Sequence, residues 1–249
     1  MGKWAGGVWN MVFVGDTNVP ESHCGLDDTP PATTIEKTPI IVEKPYVVSD
    51  GNNGYSLMVP RLEKDKVGAT PGFENADEVP FDQVYVASDS DSAETINAKL
   101  DEGLHLILQP GQYNLKDSIK VTKENTVVLG MGLATLISTS GKPCIEVDNV
   151  DGVRIAGILL QAGETDSDSL LKWGMSGGFN GSDSNPGVMQ DVFARVGGTN
   201  QKDVPVIVDK MVQINSGNVI VDDTWMWRAD HGIDGSIDDP TNNAVSTGL

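Results

Sequence analysis

The sequence predicts an all-β fold in which short parallel strands stack as successive coils of a solenoid. At 119–121 and 145–147 two apolar residues flank a polar one, the period of a strand with one buried face. Glycine and asparagine punctuate such strands, and no long helical pattern follows Leu100. Segments 125–130 and 151–156 repeat with an offset of 26 residues, about one turn of a parallel β-helix. A β-sandwich is the alternative, although Asn-Gly hairpin turns are scarce here.

The first part of the chain has a different character. Residues 16–84 carry little regular pattern and many turn formers, including prolines at positions 20, 30, 31, 39, 45 and 60. Two apolar runs, at 40–42 and 46–48, predict short strands. We expect this segment to wrap a scaffold as an extended connector. The apolar run at 4–14 is interrupted by Asn10 and lacks a clear cleavage site, so it predicts a strand rather than a signal peptide.

A short capping helix is predicted at the start of the β-helix, which we place at residue 85. Asp91 is the expected N-cap, with Glu94 closing a capping box, and Gly103 ends the helix. The strand at 104–108 is nearly all apolar, which is typical of a parallel strand covered on both faces. A Pro-Gly pair at 110–111 then turns the chain.

Composition narrows the possible partners. The formal net charge is −19, from 17 basic and 36 acidic residues, and no Lys/Arg-rich block occurs, so nucleic-acid binding is not expected. No apolar run approaches the roughly 20 residues that cross a bilayer, so no membrane partner is expected. The same acidity would repel polyuronates unless calcium bridged them, whereas a neutral glucan meets no such repulsion.

Several sequence segments resemble one known superfamily. The helix, the strand, the PGQY turn at 110–113 and the segment TVVLGMG at 126–132 look like the entry of the pectate-lyase-like right-handed parallel β-helix. The segments GLATLIS, GKPCIEVDNVDGVRIAGILLQAG, LLKWG, DVFARVGG, MVQINSGNV and WMWRADHG are similar to glycoside hydrolase family 55, the exo-β-1,3-glucanases. The similarity covers about residues 85–249.

The resemblance implies a domain organisation and a function. Family members have two β-helix domains in tandem, so residues 1–15 would end a first domain, 16–84 would be the connector, and 85–249 would be a second domain truncated at its C-terminus. The implied activity is hydrolysis of β-1,3-glucan by a secreted, monomeric protein without a cofactor. A noncatalytic carbohydrate-binding or structural module is the first alternative. A polysaccharide lyase, with an Arg or Lys base and bound calcium, is the second.

The best local candidate for sugar binding lies near the end of the chain. In a strand, Trp225 and Trp227 point to one face, where two indoles can stack on pyranose rings. Arg228, Asp230 and His231 would then supply hydroxyl contacts. The competing interpretation is that both indoles fill the interior of a coil or pack under the connector, with Arg228 and Asp230 paired structurally. Trp173 invites the same two interpretations.

A catalytic residue cannot be assigned from the sequence. Glycoside hydrolysis usually requires two carboxylates on either side of the scissile oxygen. Asp166, Asp168, Asp183 and Asp191 lie near the Gly/Ser-rich loop at 174–186, but each is more simply a solvated carboxylate or a turn cap. The resemblance places the catalytic acid of the family beyond Leu249.

The two cysteines leave two possibilities open. A disulfide between Cys24 and Cys144 would link connector and solenoid, as suits an extracellular protein, whereas two buried thiols are equally compatible with the spacing. His23 beside Cys24 is the only adjacent pair of soft ligands, so the sequence predicts no metal site.

Overall fold

The computed structural model describes residues 12–19, 21, 31–69, 74–197 and 206–229, and the backbone of 245–246. These residues form an all-β structure with a single α-helix, α1 (Ala93–Asp101), which lies between β8 and β9 in the chain. The strands are β1 (Val12–Val14), β2 (Thr33–Ile35), β3 (Thr38–Ile41), β4 (Tyr46–Ser49), β5 (Tyr55–Pro60), β6 (Glu63–Lys66), β7 (Ala76–Pro80), β8 (Val84–Ala87), β9 (His105–Leu108), β10 (Gln112–Leu115), β11 (Ile119–Val121), β12 (Val127–Ser138), β13 (Ile145–Val147), β14 (Arg154–Ala162), β15 (Ser167–Trp173), β16 (Gly187–Gly197), β17 (Ile207–Ile214), β18 (Val219–Ala229) and β19 (Val245–Ser246). No helix in the part of the chain so described is long and apolar enough to cross a membrane.

The chain divides into two compact units. The first comprises Met1–Glu43 and Pro60–Asp77, and the second comprises Lys44–Val59 and Glu78–Leu249. In the first unit β1 pairs with β2 in parallel and β3 pairs with β6 in antiparallel fashion. The predicted strands at 40–42 and 46–48 are confirmed as β3 and β4. The predicted domain boundaries at 15 and 84 stay predictions, and residues 1–11 lie outside the described part of the chain.

Two parallel sheets dominate the second unit. One, which we call the long sheet, has the order β18-β16-β14-β12-β9-β8, with β10 also paired to β12. The other, the short sheet, has the order β11-β13-β15-β17-β19. From β12 to β19 the chain alternates between the two sheets, and the strand pairs within both are parallel. The hairpin-linked β-sandwich is therefore wrong for this unit.

The inner faces of the two sheets share one hydrophobic core. In β11 and β13 the flanking residues Ile119, Val121, Ile145 and Val147 are buried, as the alternation predicts, and Lys120 is exposed. Each such aliphatic side chain contributes about 1.5–3 kcal/mol relative to an exposed one. Further along, Trp173 is only 1% exposed, so its indole belongs to this core and is not a sugar platform.

Helix α1 begins one residue later than the sequence suggests. Ser92 is the N-cap, and its hydroxyl oxygen accepts a hydrogen bond from the Thr95 backbone N–H at 3.1 Å. The predicted cap, Asp91, instead accepts from the Ser88 N–H at 2.8 Å, because its carboxylate closes the preceding turn. The helix buries Ile96 and Leu100 in the core, and its role as a cap of the solenoid stays a prediction.

Long-sheet strands bend at one repeated position. Gly157, Asp191 and Asp223 have positive φ values of 69°, 53° and 47°, and all three lie opposite one another where the ladders of β14, β16 and β18 are interrupted. A Cβ on Gly157 would lie 2.5 Å from the Gly130 carbonyl oxygen, so only glycine fits there. Each long strand is thereby divided into a first and a second segment with separate outer faces.

The outer face of the first segments of β12 and β14 is covered. Val127 and Leu129 of β12 and Ala156 of β14 form a buried cluster with Leu57 of β5. These strands are therefore apolar on both faces, like β9, where Leu106, Ile107 and Leu108 are all buried as predicted.

The register also differs from the predicted 26-residue offset, since Val128 pairs with Ile155, 27 residues on. A one-residue shift exchanges the inner and outer faces of a strand, so the sequence alignment was wrong here.

Candidate functional site

The outer face of the second segments is open and carries two ladders of side chains. Both cross β10, β12, β14, β16 and β18 in register. The first ladder consists of Gln112, Thr135, Leu159, Phe193 and Trp225, and the second of Asn114, Ile137, Gln161, Arg195 and Trp227. The residues between the two ladders, Leu136, Leu160 and Ala194 among them, are buried in the core. We call this surface the ladder face.

One end of the ladder face is aromatic. Trp225 is 59% exposed and Trp227 is 40% exposed, and their ring centroids are 5.8 Å apart with an interplanar angle of 34°. Phe193 lies beside Trp225 at a centroid distance of 6.4 Å. With Leu133 and Leu159 they line a cavity of about 190 Å³. The interpretation in which both indoles fill the interior of a coil is therefore wrong, because Met226 between them is the residue that packs on the core.

The other predicted sugar contacts do not join the indoles in the described part of the chain. Arg228 pairs in register with the buried Val196, so it lies on the opposite side of β18 from Trp225 and Trp227. The predicted hydroxyl contact from Arg228 stays a prediction. Asp230 and His231 lie outside the described residues, and their role stays a prediction.

A polar cavity of about 350 Å³ occupies the other end of the ladder face. Its lining includes Gln112, Asn114, Gln161, Glu164 and Thr165. Sequence reasoning missed this group because its members come from β10, from β14 and from the connection that follows β14, and each alone looks like an ordinary surface residue. Only the register of β10, β12 and β14 brings them together.

A pair of side chains joins the two ends. Arg195, which lines the aromatic cavity, donates a hydrogen bond from Nη2 to Oε1 of Gln161, which lines the polar cavity. Gln161 is only 6% exposed, so the hydrogen bond fixes the guanidinium against an ordered floor. The rim is ordered too, since the Thr165 hydroxyl donates to the Thr139 carbonyl at 3.3 Å.

The acids singled out in the sequence do not form a pair. Asp166 and Asp168 lie at the start of β15 and Asp183 lies beyond its end, and a strand of that length spans about 20 Å. Asp191 occupies the bend of β16, where its carboxylate accepts a hydrogen bond from the ammonium group of Lys44. Asp191 therefore has a structural contact and does not overhang the ladder face.

One buried and one half-buried group near the core have shifted pKa values. Cys144 is fully buried, its Sγ lies 3.4 Å from the Leu136 carbonyl oxygen, and burial raises the pKa of this thiol to about 12. Because Cys24 lies outside the described residues, the predicted disulfide stays a prediction. His105 accepts a hydrogen bond from the Val127 N–H at its Nδ1, and burial lowers the pKa of its imidazole. Within the described ranges no three or more His, Cys, Asp or Glu side chains cluster as a metal site would require.

In this fold the chain alternates between two parallel sheets and leaves one aromatic and polar face open. These features are typical of a pectate lyase-like protein. Residues 84–249 match the family described as the LAM55 pectate lyase-like domain, and the chain belongs to this family. This confirms the family resemblance identified from the sequence segments.

Two kinds of relatives were found. The chain is 40% identical over 234 residues to a protein named exo-β-1,3-glucanase from Streptomyces sp. (strain SirexAA-E / ActE), a match that covers 93% of this chain and 37% of the relative. The solved structure of sacteLam55A from Streptomyces sp. SirexAA-E superposes with a TM-score of 0.82 at 37% identity, covering 96% of this chain and 43% of that one. A glutamate-to-alanine variant of sacteLam55A in complex with glucose gives a TM-score of 0.80 with the same coverage and identity. The chain thus spans less than half the length of these relatives.

Proposed function

We propose that this chain belongs to an extracellular glycoside hydrolase that acts on β-1,3-glucan, and that its second unit is a right-handed parallel β-helix. The alternation of the chain between two parallel sheets supports the β-helix, and parallel crossovers are right-handed in about 98% of cases. The domain organisation we propose has residues 1–15 ending a preceding β-helix, 16–84 as connector and 85–249 as the second β-helix, in a monomeric protein.

The observation that carries the functional proposal is one open face with an exposed indole pair at one end and amide side chains at the other. Indole faces stack on the apolar faces of pyranose rings, and the amides of Gln112 and Asn114 can both donate to and accept from sugar hydroxyls. The 40% identity to a protein named exo-β-1,3-glucanase supports the choice of β-1,3-glucan. A net charge of −19 favours such a neutral polymer over a polyuronate.

The catalytic carboxylates are proposed to lie outside the ladder face. Hydrolysis with retention or inversion needs two carboxyl groups about 5–10 Å apart. Glu164 is the one carboxylate among the described residues that line the two cavities of this face. The ladder face would therefore bind the glucan while other residues cleave it.

Sugar release tests this proposal. Laminarin, and separately polygalacturonate with calcium, would be incubated with the 249-residue chain and with a protein that contains it together with any sequence flanking it in its gene. Glucose from laminarin supports the proposal. Unsaturated products from polygalacturonate would instead support a polysaccharide lyase, and no release from either polymer by either protein would overturn the hydrolase proposal.

A noncatalytic carbohydrate-binding module is the second candidate function. It is favoured by the single carboxylate in the described lining of the ladder face, because such a surface can hold a glycan without cleaving it. Retention of the protein on insoluble β-1,3-glucan, with no sugar released, is the result this candidate predicts.

A further inference from the structure

We propose that the two cavities of the ladder face form one extended groove, which binds a neutral oligosaccharide running across the strands from Trp227 to Asn114. The inference deepens the proposed function and rests on its assignment of a carbohydrate ligand. It adds the direction of the ligand and a requirement for several sugar units.

The register makes the groove continuous. Asn114, Ile137, Gln161, Arg195 and Trp227 occupy five neighbouring strands at one level of the sheet. Four interstrand spacings of about 4.8 Å give a span of about 19 Å. Gln161 and Arg195, which are hydrogen-bonded to each other, stand at the junction of the two cavities. A ligand that fills both ends therefore crosses this pair and covers several pyranose rings.

The chemistry of the two ends fits opposite features of a sugar chain. Trp225, Trp227, Phe193 and Leu159 offer apolar surface to the C–H faces of the rings. Gln112 and Asn114 are exposed amides, and with Thr165 they offer donors and acceptors to equatorial hydroxyls. A detergent-like apolar ligand would leave the amide end unused, and a purely ionic ligand would leave the aromatic end unused.

The charge of the groove suits an uncharged ligand. Arg195 and Glu164 are the charged side chains lining the two cavities, within the residues that the structure describes, and they have opposite signs. The rest of the chain is strongly acidic, so it repels polyanions at longer range. We therefore expect laminari-oligosaccharides to bind and oligogalacturonates not to bind.

The floor of the groove is rigid before any ligand arrives. Leu136, Leu160 and Ala194 are at most 1% exposed directly beneath it. At its polar end a Cβ on Gly163 would lie 1.9 Å from the Ser138 carbonyl oxygen, so the backbone approaches closely and the wall has little freedom. A preorganised site loses less entropy on binding, which favours measurable affinity from modest contacts.

Titration calorimetry on the 249-residue chain tests the groove with laminari-oligosaccharides of increasing length. We expect affinity to increase with length until the groove is filled. Trp227→Ala should weaken binding of the long oligosaccharides about tenfold, as expected for loss of a stacking contact, and Asn114→Ala about threefold to tenfold. Binding of laminaribiose, which is too short to reach both ends, should respond to one of the two substitutions at most.

Matched controls separate groove effects from general ones. Tyr55→Ala removes another exposed aromatic ring of the second unit, and Asn52→Ala removes another exposed amide, and neither should change affinity. The groove is overturned if affinity is independent of length, if Asn114→Ala leaves the long ligands unaffected, or if no oligosaccharide binds. Laminarin hydrolysis by the longer protein is measured separately, and it can persist when the groove fails these tests, so failure of the groove and failure of the proposed function are distinguishable.

Discussion

A methyl group added to Gly187 is expected to destabilise the second unit through one identifiable contact. An ideal Cβ at this position would lie 2.5 Å from Cζ2 of Trp173, whose side chain is 1% exposed. Cβ atoms essentially never approach so closely, and the indole is enclosed by the core, so it cannot move away cheaply. Since Gly187 does not have a positive φ, the steric contact is the main cost of the substitution.

The expected magnitude follows from measurements of overpacked cores. Gly187→Ala should lower the free energy of unfolding by about 1–3 kcal/mol. Trp173→Leu, which removes the ring atom in question, should cost about 2–4 kcal/mol through the cavity it leaves. In the double variant the added methyl fills part of that cavity. Its total cost should therefore be about 1–2 kcal/mol smaller than the sum of the two single costs.

Urea denaturation followed by far-UV circular dichroism provides the three free energies, from midpoints and slopes. The Trp173→Leu background is the matched control, because it keeps the substitution at Gly187 but removes its steric partner. If Gly187→Ala cost the same free energy with and without the indole, the close packing of these two residues would be refuted.

Three further predictions concern stability. Ser92→Ala should cost about 1 kcal/mol in urea denaturation, because it removes the acceptor for the Thr95 N–H, and Asp91→Ala should cost less. At the bend, Asp223→Gly should change the free energy of unfolding by less than about 0.5 kcal/mol. Asp223→Val should cost about 1–2 kcal/mol, because a β-branched residue is strained at a φ of 47°. Equal costs for the two substitutions would contradict this explanation. Because the buried Cys144 thiol has its pKa raised to about 12 from an ordinary 9.0, the folded state retains a proton that the unfolded state releases, so stability should fall as pH rises from about 9 towards 12. Urea midpoints at pH 8 and pH 10 should show a smaller decline for Cys144→Ala, and an unchanged decline would argue against this assignment.

The buried inner faces of the strands could be predicted from the sequence, because they depend on a local signal. Alternation at Ile119, Val121, Ile145 and Val147 identifies a buried face, and the structure buries all four. The nearly all-apolar strand ending at Leu108 correctly indicated cover on both sides. These patterns depend on the strand period of two, which needs no knowledge of partner strands.

The outer faces of the strands could not be predicted, because they depend on the register between strands, which the sequence leaves open. Alternation shows that Trp225 and Trp227 share a face but not which face, and the answer required the packing of Met226 on the core. The repeat alignment differed from the observed register by one residue: Val128 pairs with Ile155, and the offset changes again along β12, where the ladder shifts between Leu129 and Ala134. The polar end of the ladder face depends on three strands at once, so no single segment of sequence contains its signal.

The parallel register of the long sheet also leaves the length of its connections free to vary. The connection from β13 to β14 occupies residues 148–153 and the one from β15 to β16 occupies 174–186, yet the ladder resumes after the longer connection with Val188 opposite Arg154. Length can therefore be added at this corner without displacing any strand. A peptide inserted at Gly177, which is exposed and has no atom within 4 Å of an added Cβ, is expected to leave the ladder face intact. The corner is thus a place where evolution or a protein engineer can graft a new loop onto an unchanged scaffold.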